Sequence, residues 1–171
     1  MLSAVVRGLS RAAAQGKLDL GHVQFPCALG RGGRRPKRCE GDGVTPCGAW
    51  PIRHVLYRPD RIARPHTALP VAPLRPDMGW CDAVGDANYN RLVTLPYAAS
   101  HERLWREDHL YDVVVILGVN DFPRSKGRGS AIFMHLARPG YLPTEGCVAL
   151  SRPDMLKALA MLRPGAPLVI A

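Results

Sequence analysis

The longest apolar run, residues 111–119, is rich in β-branched residues and almost free of polar positions, the pattern of a strand buried on both faces. Turn residues follow at Asn120-Asp121 and Ser125-Lys126-Gly127, and a second apolar run over 129–135 then supplies a hairpin partner. Shorter stretches predict strands at 18–20, at 22–25 (closed by Pro26), at 50–57 and at 168–170. A helical period appears at Met155, Leu156, Leu159 and Leu162, opened by Ser151 with Asp154 three residues on and stopped by Pro164-Gly165. Ser100, with Glu102 in the first turn, predicts a second short helix to Arg106. Loops rich in Gly, Pro and Arg are expected over 28–45, 58–76 and 79–90. Residues 1–17 read as an extension, helical or disordered, ahead of one domain over 18–171. The expected fold is mainly β, a mixed sandwich or partly open barrel with two or three short helices.

Composition agrees with that class. The chain has 171 residues, enough for a real core, and its 17 Gly and 16 Pro favour short elements joined by turns. The formal net charge is +9, with the densest cluster over residues 31–38. A solvated basic loop explains that cluster; attraction to an anionic polymer such as bacterial cell wall is a second reading. A nucleic-acid patch is a third, although no aromatic residues interleave the cluster for base stacking, so no nucleic-acid partner is expected. The five cysteines are odd in number and contain no C-x-x-C pair, so no metal site is expected. Cys39 and Cys47 could close a small loop in an oxidising compartment. Arg7 and Arg11 interrupt the first apolar stretch, so no signal peptide is visible, and no run is long enough to span a membrane.

Candidate chemistry lies near the C-terminal end. An apolar strand ending in His135 is followed, after a short loop, by Thr144-Glu145-Gly146-Cys147-Val148. A thiol needs a base to become a nucleophile at neutral pH, and the oxyanion it creates needs backbone N–H groups. His135 can be the base, and Gly146 allows a tight turn whose amides point at one oxygen. The pattern points to acyl transfer through a thioester.

Three motifs in order resemble the YkuD-type L,D-transpeptidase domain. Phe25-Pro26 with a following Gly30 is similar to the family's opening strand and turn. Thr45-Pro46-Cys47-Gly48-Ala49-Trp50-Pro51-Ile52 resembles its Thr-Pro-x-Gly-x-aromatic-x-Ile element. His135 with Thr144-x-Gly146-Cys147-Val148 resembles its catalytic core. The resemblance implies Cys147 as nucleophile, His135 as general base and acid, and Gly146 as backbone donor to the oxyanion. It implies peptidoglycan stem peptides as substrate, 3→3 cross-linking as outcome, a cell-envelope location, and no metal or organic cofactor. Two positions depart from the pattern: Glu145 stands where the family has histidine, and Ala149 where it commonly has arginine. Arg138 or Arg152 is then the expected carboxylate partner, with Thr144, Tyr89 and Asn90 as further substrate contacts. Two other outcomes remain open: an L,D-carboxypeptidase or murein peptide hydrolase on the same Cys-His site, and a non-catalytic basic module that binds wall or nucleic acid.

Overall fold

The computed structural model describes residues 4–171. Three strands open it as an antiparallel meander: β1 (Ala4–Gly8), β2 (Gln15–Asp19) and β3 (Gln24–Ala28). Short pieces follow at β4 (Arg34–Arg35), β5 (Thr45–Pro46) and β6 (Gly48–Trp50), then β7 (Ile52–Tyr57) with β8 (Val71–Pro73) along its edge. A separate small sheet is built from β9 (Met78–Cys81), β10 (Arg91–Thr94) and β11 (His101–Arg103), with β9 in the middle. The chain returns to the main sheet with β12 (Val113–Leu117), β13 (Phe133–Leu136) and β14 (Val148–Leu150), and ends with α1 (Arg152–Met161) and β15 (Leu168–Ile170).

The main sheet has ten strands in the order β6-β15-β1-β2-β3-β14-β13-β12-β7-β8 and curls into an open half-barrel. Its central strands β12 and β14 are apolar throughout because both of their faces are covered. Along β12, Val113, Val115 and Leu117 join the core that includes Met155, Leu159 and Leu162 from and just after α1. Val114 and Ile116 point the other way, into a second core shared with Met78 and Trp80 of the small sheet. The period of two thus divides one apolar run between two cores.

The helix at the end of the chain forms as its sequence predicts. Ser151 caps α1, its hydroxyl accepting the Asp154 N–H at 3.3 Å, and Met155, Ala158 and Leu159 are buried. Among the described residues α1 is the only α-helix, joined by a 3₁₀ turn at Pro139–Tyr141. None is long and apolar enough to cross a membrane.

Three expectations are corrected. Of the extension expected over 1–17, residues 1–3 lie outside the described ones. The rest enters the sheet: β1 runs parallel to β15 and antiparallel to β2, with Ala4 and Val6 buried and Arg7 exposed. That alternation is a strand pattern, too short to register against the surrounding arginines. The helix expected from Ser100 is instead β11, because the backbone of 101–103 finds partners on β9 and a one-turn helix would leave them unused. The loop expected over 79–90 begins as β9, which is buried at all four positions.

Candidate active site

The register of two neighbouring strands builds the site. β13 and β14 are parallel, with Met134 opposite Val148 and His135 opposite Ala149. Met134 and Val148 face the core under α1, so Phe133, His135, Cys147 and Ala149 face the other way, toward the small sheet. Cys147, one residue before β14, therefore stands beside Phe133, and His135 is its diagonal neighbour on the same face. Both open into a cavity of about 570 Å³ between the main sheet, the small sheet and the loop around Lys37.

The thiol is held in place by backbone groups. Cys147 Sγ accepts the Phe133 N–H at 3.4 Å and donates to the Ala131 carbonyl at 3.3 Å. Burial pushes the thiol up to about 12, and the Phe133 N–H only partly opposes that. His135 Nδ1 lies 2.9 Å from the Leu136 carbonyl oxygen. A carbonyl can only accept, so Nδ1 carries the proton and Nε2 keeps the lone pair of a base. Burial lowers the imidazole to about 4; the Leu136 contact acts against this, while the charges of Arg138 and Arg106 reinforce it. The ring packs edge-on against Tyr111, with centroids 5.3 Å apart. At rest the site is a neutral thiol beside a neutral imidazole. A thiolate then forms only as its proton moves.

The turn before Cys147 is organised by Thr144. Its hydroxyl donates to the Cys147 carbonyl at 2.7 Å and accepts the Gly146 N–H at 3.1 Å. The Gly146 amide, expected to face the oxyanion, is thus already engaged within the turn. Gly146 itself sits at φ 133°, and a Cβ there would lie 2.7 Å from the Val44 carbonyl oxygen. The earlier motifs support the same turn: Thr144 N–H donates to Leu29 O at 2.9 Å, and Gly30 N–H donates to Thr45 Oγ1 at 2.7 Å.

The expected substrate contacts divide. Thr144 and Arg138 line the cavity, and Arg138 is exposed with no ion-pair partner among the described residues. Arg152 lies outside it, paired with the fully buried Asp112 that Arg61 also binds. Tyr89 and Asn90 stand behind the wall. Asn90 Oδ1 accepts from Trp80 Nε1 at 2.9 Å and from Ala131 N at 3.1 Å, and its amide donates to the Val119 and Asn120 carbonyls at 3.0 and 2.9 Å. Tyr89 bonds Glu40 and accepts the Gly129 N–H at 2.9 Å. Both residues hold the 129–131 segment against which the thiol rests, and neither has a polar group left over for substrate.

Several cavity residues were not singled out from sequence, among them Lys37, Glu40, Glu102, Arg106 and Tyr111. Lys37 is no solvated member of the basic cluster: its ammonium meets Asp42 at 2.6 Å, and both side chains are nearly buried. Burial pushes the Asp42 carboxyl upward, but the Lys37 ammonium and the Val44 and Arg38 amides win and hold it down at about 2. The only sequence signal for this was Asp42 lying five residues from Lys37. Glu102 reads from sequence as a helix-start residue, and the structure places it in β11. Among the described residues no group of three or more His, Cys, Asp or Glu gathers as a metal-holding cluster.

Neither the curated proteins nor the solved structures yield a significant match. The family model of the L,D-transpeptidase catalytic domain matches residues 14–170, a span that contains the thiol, the imidazole and the turn between them. The match covers nearly the whole chain, which therefore belongs to the YkuD family of L,D-transpeptidase catalytic domains.

Proposed function

We propose that this protein is a cysteine acyltransferase acting on peptidoglycan stem peptides in the cell envelope, an L,D-transpeptidase that makes 3→3 cross-links. The observation that carries the reading is the placement of Cys147 and His135 as diagonal neighbours on one sheet face, open to the same cavity. Cys147 Sγ attacks the carbonyl at the L-centre of the diamino-acid residue while His135 Nε2 takes the thiol proton. The C–N bond to the terminal D-alanine breaks, and its nitrogen receives that proton. A thioester remains on Cys147 and is resolved by an amine of a neighbouring stem. With the Gly146 amide engaged by Thr144, the Cys147 N–H is the backbone donor assigned to the oxyanion. Arg138, unpaired at the cavity rim, takes the substrate carboxylate in place of the arginine that Ala149 replaces. The reaction so written calls for no metal or organic cofactor.

Incubation with disaccharide-tetrapeptide muropeptides tests this. Mass spectrometry is expected to find a cross-linked dimer that has lost one alanine, absent with C147S and reduced at least about 100-fold with H135A. Tripeptide without dimer would reassign the site to a hydrolase. Dimer formation that survives C147S would end the mechanism.

A further inference from the structure

If the protein transfers acyl groups as proposed above, the second half of its reaction has a proton that Cys147 and His135 do not accommodate. An alkyl amine acceptor arrives as an ammonium, which holds its proton up to about pH 10. It must lose two protons to become an amide, one to free the lone pair that attacks the thioester carbonyl and one once the N–C bond has formed. When the C–S bond breaks, the departing thiolate takes up one of them through His135. The other needs a second acceptor in the cavity.

Glu102 is placed to be that acceptor. β11 brings it to the wall of the cavity that holds Cys147 and His135. One carboxylate oxygen, Oε1, accepts the Tyr111 hydroxyl, and the Tyr111 ring packs on the His135 ring at 5.3 Å, so carboxylate and imidazole are fixed through a single shared side chain. The other oxygen has no hydrogen-bond partner among the described residues, and 28% of the side chain is exposed. Asp82, just after β9, lines the same cavity, and its Oδ1 is buried with no partner among the described residues. Its backbone N–H bonds Ser100 O at 3.2 Å, which joins it to the start of β11.

The charges around Glu102 leave it a usable base. Arg106 approaches at 3.9 Å, Tyr111 donates from the segment before β12, and Asp82 and Asp108 add negative charge. Lys37, His135 and Arg138 face the cavity from the loop and from the main sheet. Burial raises the Glu102 carboxyl above its ordinary value, which Tyr111 and Arg106 partly counter. A carboxyl raised in this way is a stronger proton acceptor.

We propose that Glu102 is the general base for the acyl acceptor: with Asp82 it binds the incoming ammonium and removes its first proton. That proton passes from the carboxyl to solvent. The second leaves the tetrahedral intermediate through His135 and ends on Cys147 Sγ as the C–S bond breaks.

Resolution of the acyl-enzyme by two amines tests the assignment. Methylamine is an ammonium at pH 7, whereas hydroxylamine is already neutral and needs no base before attack. Wild-type and E102Q acyl-enzymes are prepared from tetrapeptide donor, and thioester loss is followed by intact-protein mass spectrometry. The expected result is that E102Q slows methylamine resolution about 100-fold relative to hydroxylamine resolution. The deficit should shrink as pH approaches the ammonium's own value, and E102D should recover part of the rate. Equal slowing with both amines would make Glu102 structural, and no slowing would remove it from the reaction. Failure of the wild type to form an acyl-enzyme would overturn the acyl-transfer reading itself.

Discussion

Cys147 and His135 are both tuned away from charge, and this sets how the pair responds to pH. A preformed thiolate-imidazolium pair alkylates at a rate that levels off near neutrality. Here burial holds the thiol near 12 and the imidazole near 4, so the thiolate fraction keeps rising with pH. The iodoacetamide rate at Cys147 is therefore expected to climb about tenfold per pH unit through pH 9, and a plateau below pH 8 would contradict the neutral resting pair. The same burial has a stability consequence. The folded-state value of His135 lies below its ordinary 6.5, so its contribution is fully present above that pH and is lost as pH falls toward 4. About 3 kcal/mol is at stake from that displacement. His54, lowered by burial as well, acts in the same direction. Urea unfolding of the wild type against H135Q, repeated between pH 7 and pH 4, should find a shallower loss in the variant.

Which elements were legible in the sequence follows from where their partners lie. The β12 run and α1 carry their own signals, a continuous apolar stretch and a capped helical period, and both form as expected. The Cys147 turn was legible for the same reason: Thr144, Gly146 and Cys147 are adjacent in sequence and bond one another directly. β9 and β11 were not legible, because three or four residues among Gly, Trp, His and Glu become strands only when they pair. The pocket-side role of Glu102 was hidden with them. Asn90 misled in another way. Its polar head suggests a substrate contact, yet all four of its side-chain hydrogen bonds tie the residue before β10 and the 119–120 turn to Trp80 and Ala131. N90A would leave several of these buried partners unsatisfied at about 1–3 kcal/mol each. It should lower stability by about 2 kcal/mol or more and also free the Ala131 segment, with faster alkylation of Cys147. Loss of stability without any change at the thiol would separate Asn90 from the site.

At the scale of the whole molecule, the main sheet depends on its first and last strands in the chain, β1 and β15, pairing within it. β1 is the one link between β15-β6 on one side and β2 on the other. Its Ala4 and Val6 are 1% and 0% exposed, and they pack in the same core as Leu168 and Ile170. β14, which follows the cysteine turn, connects to β1 through β3 and β2, so the geometry of the site rests on a strand that begins the described chain. The family match starts at residue 14, after β1 has ended. A chain cut to residues 14–171 would keep every proposed catalytic group yet leave β15 facing β2 across a gap. The backbone groups of two strands would lose their ladders, and apolar side chains worth about 1.5–3 kcal/mol each would return to water. Such a chain is expected to unfold at room temperature or to lose most of its stability. V6D, which places a carboxylate in that core, should cost at least about 3 kcal/mol by urea unfolding. If the truncated chain kept wild-type stability and muropeptide activity, the domain would begin where the family match does. β1 would then be an accessory strand rather than the link that joins β15-β6 to the rest of the main sheet.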